Sequence, residues 1–228
     1  MRLWALLADT IPLYPLYALL FAEVGLSDAE ISALFVVWSV AAVVVEVPSG
    51  ALADRFSRRG ALAAGGVFQA AGYLLWITLP GFTVFAAGFV LWALGGALLS
   101  GSREALLHDG LAAVGRAERF APVYGQLNAL ELVAQVPAAL SATVLFAVGE
   151  FTLVGWVSVG MCLTAAAVAT RIPEPARSAR TRPSPGAGPR EWPGTPAGGY
   201  LAVLRAGGTE AFADPAVRGP VLAVALLA

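Results

Sequence analysis

Six long apolar stretches, separated by short polar breaks, dominate the pattern of hydrophobic and polar positions along the chain. Each approaches the roughly 20 apolar residues that a helix needs to cross the hydrocarbon core of a bilayer. The predicted helical segments, numbered one to six, cover about residues 3–22, 31–53, 60–79, 83–106, 120–148 and 152–170. The pattern therefore predicts an all-α membrane protein, with a six-helix transmembrane domain over residues 1–171.

The last quarter of the chain has a different composition. Residues 172–199 are rich in Pro, Gly and Arg, which is typical of a flexible linker and not of a helix. Residues 200–218 form a short amphipathic pattern suited to the membrane surface. Residues 219–228 are apolar again but cover only half a span, so we expect a truncated chain that stops inside a seventh helix.

Composition agrees with this interpretation and excludes other classes. Hydrophobic residues make up 58% of the chain and charged residues 13%, and the mean hydropathy is +0.76, far from the balance of a soluble domain. Cys162 and His108 are the only residues of their types, so one chain cannot form a disulfide framework or a Cys/His metal site. No nucleophile triad, phosphate loop or nucleic-acid surface is present in the sequence, which predicts neither an enzyme, a cofactor nor a nucleic-acid partner.

The first apolar segment is expected to stay in the mature protein. It contains Asp9, Pro12 and Pro15, and it lacks the smooth apolar core and cleavage site of a signal peptide. We therefore interpret it as the first transmembrane helix.

Arginine predicts the orientation, because loops rich in positive charge stay in the cytoplasm. All fourteen basic residues are arginines. They precede segment one, follow segment two, lie around the break between segments four and five, or follow segment six, whereas the three other breaks carry only acidic charges. Both termini are therefore predicted to be cytoplasmic.

Three charged residues fall inside the predicted spans at a similar depth: Asp9, Glu46 and Arg103. A buried charge is costly unless it is paired, so we expect an ion pair such as Glu46 with Arg103, for which Glu104 or Asp9 would compete. The pair would either join segments one, two and four as a fixed bridge or take part directly in proton coupling. The sequence leaves both interpretations open.

Segment five carries a row of polar residues on one helical face, namely Tyr124, Asn128, Glu131 and Gln135. Glu131 is expected near the middle of the bilayer as a solitary carboxyl, and desolvation would keep it protonated unless water or a cation is close. It is a candidate, with Asn128 and Gln135, for substrate contact or proton exchange. The alternative is a neutral Glu131 that only hydrogen-bonds a neighbouring helix.

Four aromatic residues in the spans are candidates for a hydrophobic substrate cavity: Tyr14, Tyr17, Trp38 and Trp92. Aromatic residues in such segments more often pack or anchor the helix at the interface.

A charged motif lies between segments two and three: Gly50-Ala-Leu-Ala-Asp54-Arg55-Phe-Ser-Arg58-Arg59. Gly50 allows a neighbouring helix to approach closely. Asp54 can accept hydrogen bonds or pair with an arginine, and Arg58 and Arg59 are confined to a short loop.

This motif resembles the signature GxLaDRxGRR of the major facilitator superfamily, and its position between the second and third spans is also that of the signature. The preceding residues, Glu46-Val-Pro48-Ser49, resemble the stretch before the signature in many bacterial drug-efflux-like members of this family. Residues 100–109 and 200–207 are further partial matches to the family. The resemblance covers nearly the whole chain. Three positions depart from it: Ser57 replaces the second glycine of the signature, Ala97 occupies the place of a basic residue in segment four, and Val136 precedes Pro137 where a glycine is usual.

The resemblance implies the N-terminal half of a twelve-helix fold, built from two inverted three-helix repeats. It implies that Gly50, Asp54, Arg55, Arg58 and Arg59 belong to a reversible lock on the cytoplasmic side, with Asp109 as the acidic partner of Arg58. The alternative is that the arginines serve only as topology anchors.

The function implied is secondary active transport of a small solute across a bacterial plasma membrane, with proton-coupled efflux as the specific form. The expected partners are the lipid bilayer, a small-molecule substrate and a missing C-terminal six-helix half. The competing hypothesis is a six-helix membrane module that does not transport by itself.

Overall fold

The described part of the chain folds into helices joined by turns and short connections, and no strand occurs in residues 1–53 or 57–174. A computed structural model describes these residues, with the backbone alone for 46–53. The predicted all-α class is confirmed for this part of the chain. Asp54, Arg55, the predicted amphipathic segment and the start of the seventh helix lie outside the described residues, as does the predicted linker after Glu174.

The described residues form six helices and one short 3₁₀ turn, and most bounds are close to those expected from the apolar pattern. The helices are α1 (Arg2–Asp9), α2 (Tyr17–Glu23), α3 (Asp28–Ala53), α4 (Arg58–Thr78), α5 (Phe82–Ala113) and α6 (Phe120–Ala169), and the 3₁₀ turn covers Ala117–Arg119. By length and composition, four stretches can cross a membrane: Asp28–Val45 in α3, all of α4, all of α5, and Ala117–Ala169. This count is smaller than the predicted six because of two features, one in segment one and one in segments five and six.

Segment one is not the continuous helix that the apolar pattern predicted. It is divided into α1 and α2 by a turn at residues 10–16, which contains Pro12 and Pro15. A proline has no backbone N–H and its ring clashes with the preceding turn, so two prolines in four residues interrupt the helix. The backbone N–H of Leu13, which is fully buried, donates instead to Ser158 Oγ at 2.9 Å. The break is thus stabilised by the part of the chain that was predicted as segment six.

Segments five and six are joined in α6 but run in opposite directions. Gly149 and Glu150 leave the helical region, and Glu150 has a φ of 54° and a ψ of −157°. Leu127 and Ala165 pack in the same apolar cluster, although on a straight helix they would be about 57 Å apart. The chain therefore reverses at Gly149 and Glu150, and α6 consists of an N-terminal arm (120–148) and a C-terminal arm (151–169).

Close packing of α4 against α5 depends on glycines. A Cβ placed on Gly72 would lie 2.9 Å from the carbonyl oxygen of Gly88, and one placed on Gly95 would lie 2.7 Å from that of Gly65. These distances are too short for any side chain, so the two backbones touch directly, as small residues permit in membrane bundles.

Two apolar clusters lie at opposite ends of the helices. One contains Trp4, Leu62, Leu106, Leu127 and Ala165, close to the start of α4 and the end of α5. The other is aromatic, and its buried rings are Phe21, Tyr73, Trp76, Phe85 and Phe89. The charged residues of the candidate site lie in two places. Arg58 and Asp109 are at the end of the bundle where the first cluster lies, and Arg103 and Glu131 are closer to the middle of the helices.

Candidate functional site

Arg58, at the start of α4, forms a salt bridge with Asp109 near the end of α5. The same guanidinium nitrogen donates to the carbonyl oxygen of Ala105 at 2.8 Å. This is the pairing that the motif led us to expect, and it joins the ends of two neighbouring helices. The Arg58 side chain is 20% exposed and that of Asp109 is 45% exposed, so the bridge lies at the surface of the bundle and remains accessible to water.

Glu174, just beyond the end of α6, binds the start of α4. Its carboxylate accepts hydrogen bonds from Ser57 Oγ at 2.6 Å and from the backbone N–H of Arg58 at 2.9 Å, and Arg59 Nε lies 3.9 Å away. Burial by itself raises the pKa of the Glu174 carboxyl, but the hydrogen bonds from Ser57, Arg58 and Arg59 and the charge of Arg59 outweigh it and hold the pKa below its ordinary value. We call this arrangement the Glu174 clasp.

The sequence analysis did not find the clasp. Ser57 was interpreted only as a departure from the signature glycine, but its hydroxyl caps α4 by accepting from the backbone N–H of Gly60 at 3.2 Å while donating to Glu174. The sequence signal was a serine directly before a helix. Nothing in the sequence identified Glu174 as its partner.

The remaining motif residues are described only in part. Gly50 lies in α3, where only the backbone is described, and Asp54 and Arg55 lie outside the described residues. The proposed lock is therefore represented in the structure by Arg58, Arg59 and Asp109.

A second ion pair lies between α5 and the N-terminal arm of α6, where Arg103 contacts Glu131. The other terminal nitrogen of Arg103 donates to Tyr124 Oη at 3.1 Å, and Tyr124 in turn donates to Glu104 at 2.7 Å. The Arg103 side chain is only 18% exposed and that of Glu131 only 16%. The pair is thus largely removed from solvent, and each member has an oppositely charged partner. Arg103 Nε is buried and has no hydrogen-bond partner among the described residues.

This pair corrects two expectations. Glu131 is not solitary, because α5 and α6 approach each other at a depth that places Arg103 against it. Arg103 was expected to pair with Glu46, with Asp9 or Glu104 as competitors. Its partner is instead Glu131, and the side chain of Glu46 lies outside the described residues.

Asp9, at the end of α1, lies close enough to Glu131 and Arg103 to interact with both charges. It is half-buried, and no described residue donates a hydrogen bond to its carboxylate. One arginine is therefore shared electrostatically by two carboxylates, of which only Glu131 is in direct contact with it.

The predicted polar face of segment five is not buried along its whole length. The amide oxygen of Asn128 is buried and has no hydrogen-bond partner among the described residues, whereas Gln135 is exposed. Asn128 and Glu131 are thus partly buried in the bundle, and Gln135 is not.

A cavity of about 250 Å³ opens between α3, α4 and α5. Trp38 and Ala42 line it from α3, Gln69 from α4, and the α5 residues are Trp92, Ala93, Gly96, Ala97 and Ser100. Two of the four aromatic candidates thus line a cavity. Tyr14 stacks on Trp92 with ring centres 5.7 Å apart, and Tyr17 packs among the buried rings of the aromatic cluster. Within residues 1–45 and 57–174, no three His, Cys, Asp or Glu side chains are grouped to hold a metal ion.

Comparison with known proteins identifies a family. A family model described as Major Facilitator Superfamily matches residues 4–228. No curated protein and no solved structure matches the chain.

Proposed function

The chain belongs to the Major Facilitator Superfamily, and from this premise we propose that it couples the movement of a small solute to that of protons through Asp9, Arg103 and Glu131. The family match makes the chain an integral membrane protein and a transporter of small solutes, not an enzyme. The resemblance seen in the sequence is confirmed at the level of the family.

The observation that carries the coupling proposal is the ratio of acids to bases at this site. Arg103 is in contact with Glu131 and within electrostatic reach of Asp9. One guanidinium compensates one carboxylate in a poorly solvated place, so the second carboxyl is stabilised by taking up a proton. When the proton leaves, both carboxylates compete for Arg103, and this competition acts on α1, α5 and α6 at once.

Asp9 is the residue that would exchange the proton. Glu131 already has a charged partner, and Tyr124 links the other terminal nitrogen of Arg103 to Glu104. Asp9 has no such partner among the described residues, and it lies next to the proline-containing turn at residues 10–16. Asn128 would contact solute beside this site, because its buried amide oxygen has no partner in the described bundle.

We expect Asp9→Asn to abolish proton-coupled movement of solute while leaving uncoupled exchange intact. The amide keeps the shape of the side chain and loses its titration. Membrane vesicles that hold a pH gradient would be given solutes one class at a time, and the loss of the gradient would be followed. Solute-for-solute counterflow would be measured in the same vesicles without a gradient.

The matched control is Glu104→Gln. Glu104 is exposed and is connected to Arg103 through two hydrogen bonds, by way of Tyr124. This variant should keep proton coupling. If Asp9→Asn still dissipates the gradient on addition of solute as the wild type does, Asp9 is not the coupling residue. Glu131→Gln, which leaves Asp9 as the remaining acid beside Arg103, should alter the pH at which coupling is half-maximal.

The arginine motif is proposed to close the cytoplasmic side. Its support is the bridge between Arg58 and Asp109, which joins the ends of α4 and α5, and the Glu174 clasp beside it. A partly exposed bridge can open without burying an unpaired charge. Arg59 and the undescribed Asp54 and Arg55 would extend the same lock, and Gly50 would allow the close approach of a neighbouring helix.

The proposed architecture is six spans with both termini cytoplasmic, arranged as two inverted three-helix repeats. In this arrangement α1 with α2 makes one broken span, and the two arms of α6 make two. Alternating access requires a second half against which the first can rock, and a six-helix partner would supply it. Efflux from the cytoplasm is the proposed direction.

The alternative function is a six-helix module that does not transport by itself. It is favoured if the chain binds solute but shows neither gradient-driven transport nor counterflow without a partner.

A further inference from the structure

A groove of about 350 Å³ opens between the start of α1 and the N-terminal arm of α6. Arg2 lines it from α1, and Gln126, Ala129, Leu130 and Val133 line it from the arm. The four arm residues have the spacing i, i+3, i+4 and i+7, so they follow one face of the helix. The groove therefore runs along the arm for about two turns, with Arg2 at the end where Gln126 lies.

The polar end of the groove carries a positive charge. Arg2 Nη2 donates to the amide oxygen of Gln126 at 3.3 Å, and both residues are exposed. A guanidinium has five N–H donors in a planar fork, so it can bind a phosphate through two of them while it keeps the contact with Gln126. The amide N–H groups of Gln126 can donate to the same phosphate. This end of the groove has the chemistry of a phosphate site.

The rest of the groove is apolar. Ala129, Leu130 and Val133 form its floor, and Val133 lies about 10 Å further along the arm than Gln126. Val133 is 63% exposed, so its side chain can be covered by an apolar ligand. A free phosphate ion would contact only the polar end, whereas a phospholipid has an acyl chain that covers the floor as well.

The polar end of the groove lies close to one end of the bundle. Arg2 is the first residue of α1, and Gln126 is about 9 Å along the axis from the first residue of α6. Arg116 and Arg119 lie just before α6, at the same end. This end is the proposed cytoplasmic side, where the leaflet carries anionic lipids and basic pockets between helices bind their headgroups.

We propose that this groove binds an anionic phospholipid of the cytoplasmic leaflet, with its phosphate on Arg2 and Gln126 and one acyl chain along the apolar floor. The lipid contacts α1 and the arm together and so holds these two elements against each other. The choice of leaflet follows from the proposed orientation. The site itself does not depend on the coupling mechanism, since it uses neither Asp9 nor Glu131.

The test is the binding of lipid to the purified 228-residue chain in detergent micelles, followed by native mass spectrometry. The probe is dioleoyl phosphatidylglycerol, and the matched lipid is dioleoyl phosphatidylcholine, which has the same chains and phosphate but an added positive charge. We expect the first phosphatidylglycerol to bind at least about fivefold more tightly, which is the contribution of one arginine near anionic lipid. Inorganic phosphate at the same concentration should not displace it, because the ion has no chain to cover the apolar floor.

The decisive variant is Arg2→Gln, which removes the charge at the polar end. Its matched control is Arg116→Gln, because Arg116 is also exposed and lies at the same end of the bundle but does not line the groove. Arg2→Gln should weaken phosphatidylglycerol binding about fivefold more than Arg116→Gln does.

A second variant, Ala129→Phe, tests the apolar floor. Its ring would fill the groove and should weaken phosphatidylglycerol binding at least about fivefold, since two groups cannot share one space. Ala139→Phe is the control at another exposed position of the same arm, and it should leave binding unchanged.

Equal binding of the two lipids to the wild type would overturn the assignment, and so would an equal loss of binding in Arg2→Gln and Arg116→Gln. Displacement of the lipid by inorganic phosphate would identify the groove as a site for the free ion. Unchanged binding by Ala129→Phe would show that the lipid is held by surface charge and not in the groove. Absence of saturable binding by both lipids would reject a lipid site and favour a protein partner there. The comparisons among lipids and phosphate use the wild type alone, so they do not depend on the folding of a variant.

Discussion

Among single residues, Ser158 shows how a polar side chain stabilises a break in a transmembrane helix. It is fully buried, accepts from the backbone N–H of Leu13 at 2.9 Å and donates to the carbonyl oxygen of Val154 at 2.8 Å. Inside a bilayer no water replaces a missing partner, so a freed backbone group must be satisfied by the protein. The prolines of the turn at 10–16 and Ser158 therefore depend on each other.

We predict that Ser158→Ala destabilises the protein by about 1–3 kcal/mol, because the N–H of Leu13 is left buried without an acceptor. The measurement is the free energy of unfolding in a detergent titration. Thr164→Val is the matched control: its hydroxyl bonds only to the carbonyl oxygen of Gly160 in its own helix, and the residue is exposed. An equal effect of the two substitutions would show that Ser158 does not stabilise the break.

Between elements, the Glu174 clasp joins the end of α6 to the start of α4. Ser57, Arg58 and Arg59 approach one carboxylate from one helix terminus, where the positive end of the helix dipole also favours a negative charge. The clasp lies beside the bridge between Arg58 and Asp109. A movement of α4 relative to α6 would therefore disturb both contacts together.

We predict that Glu174→Gln lowers the unfolding temperature near neutral pH and that the difference from wild type disappears in acid. The folded pKa of Glu174 lies below the ordinary value of 4.5, so the carboxylate is stabilising above that pH. This contribution is lost as the pH falls through the lower, folded pKa. Thermal unfolding of wild type and variant across this range checks the prediction.

The control for this prediction is Glu118→Gln, which removes an exposed acid of the 3₁₀ turn. It should change the unfolding temperature little at any pH. A difference between Glu174→Gln and wild type that stays constant down to pH values far below 4.5 would contradict the assignment of the clasp to the ionised carboxylate.

At the scale of the whole molecule, arginines are concentrated at one end of the described bundle, and acidic residues lie at the other end. The ends of α4 and α5 that meet at Arg58 and Asp109 lie on the proposed cytoplasmic side. Glu23 ends α2, and Asp28 and Glu30 lie in the first turn of α3, at the opposite ends of the helices. The proposed orientation rests on this distribution, because loops rich in arginine stay in the cytoplasm.

We predict that a cysteine introduced at Glu23 reacts with an impermeant thiol reagent added outside intact cells, and that one introduced at Arg116 reacts only after the membrane is opened. Both positions are exposed. The natural chain is the control, since its one cysteine, Cys162, is buried. Labelling in the reverse pattern would invert the proposed topology and place the arginine motif outside.

Taken by itself, the sequence determined the class of protein and most helix bounds. Stretches of 20 apolar residues have few stable alternatives to a membrane helix, because the backbone must satisfy its own hydrogen bonds there. The sequence of the charged motif, together with its position between two apolar segments, was enough to identify the family. The resemblance to that family in turn predicted the pairing of Arg58 with Asp109.

Only the tertiary structure decided which buried groups meet. Helical periodicity places Glu131 on a face of its own helix, but whether Arg103, Asp9 or no charge lies opposite depends on the rotation and depth of other helices. The same holds for the glycine contact between α4 and α5, in which Gly72 meets Gly88 and Gly65 meets Gly95. The acceptor for Leu13 lies 145 residues away in the sequence, and the partner of Ser57 lies 117 residues away. Local patterns specify elements, whereas contacts between distant residues arise from how the elements pack.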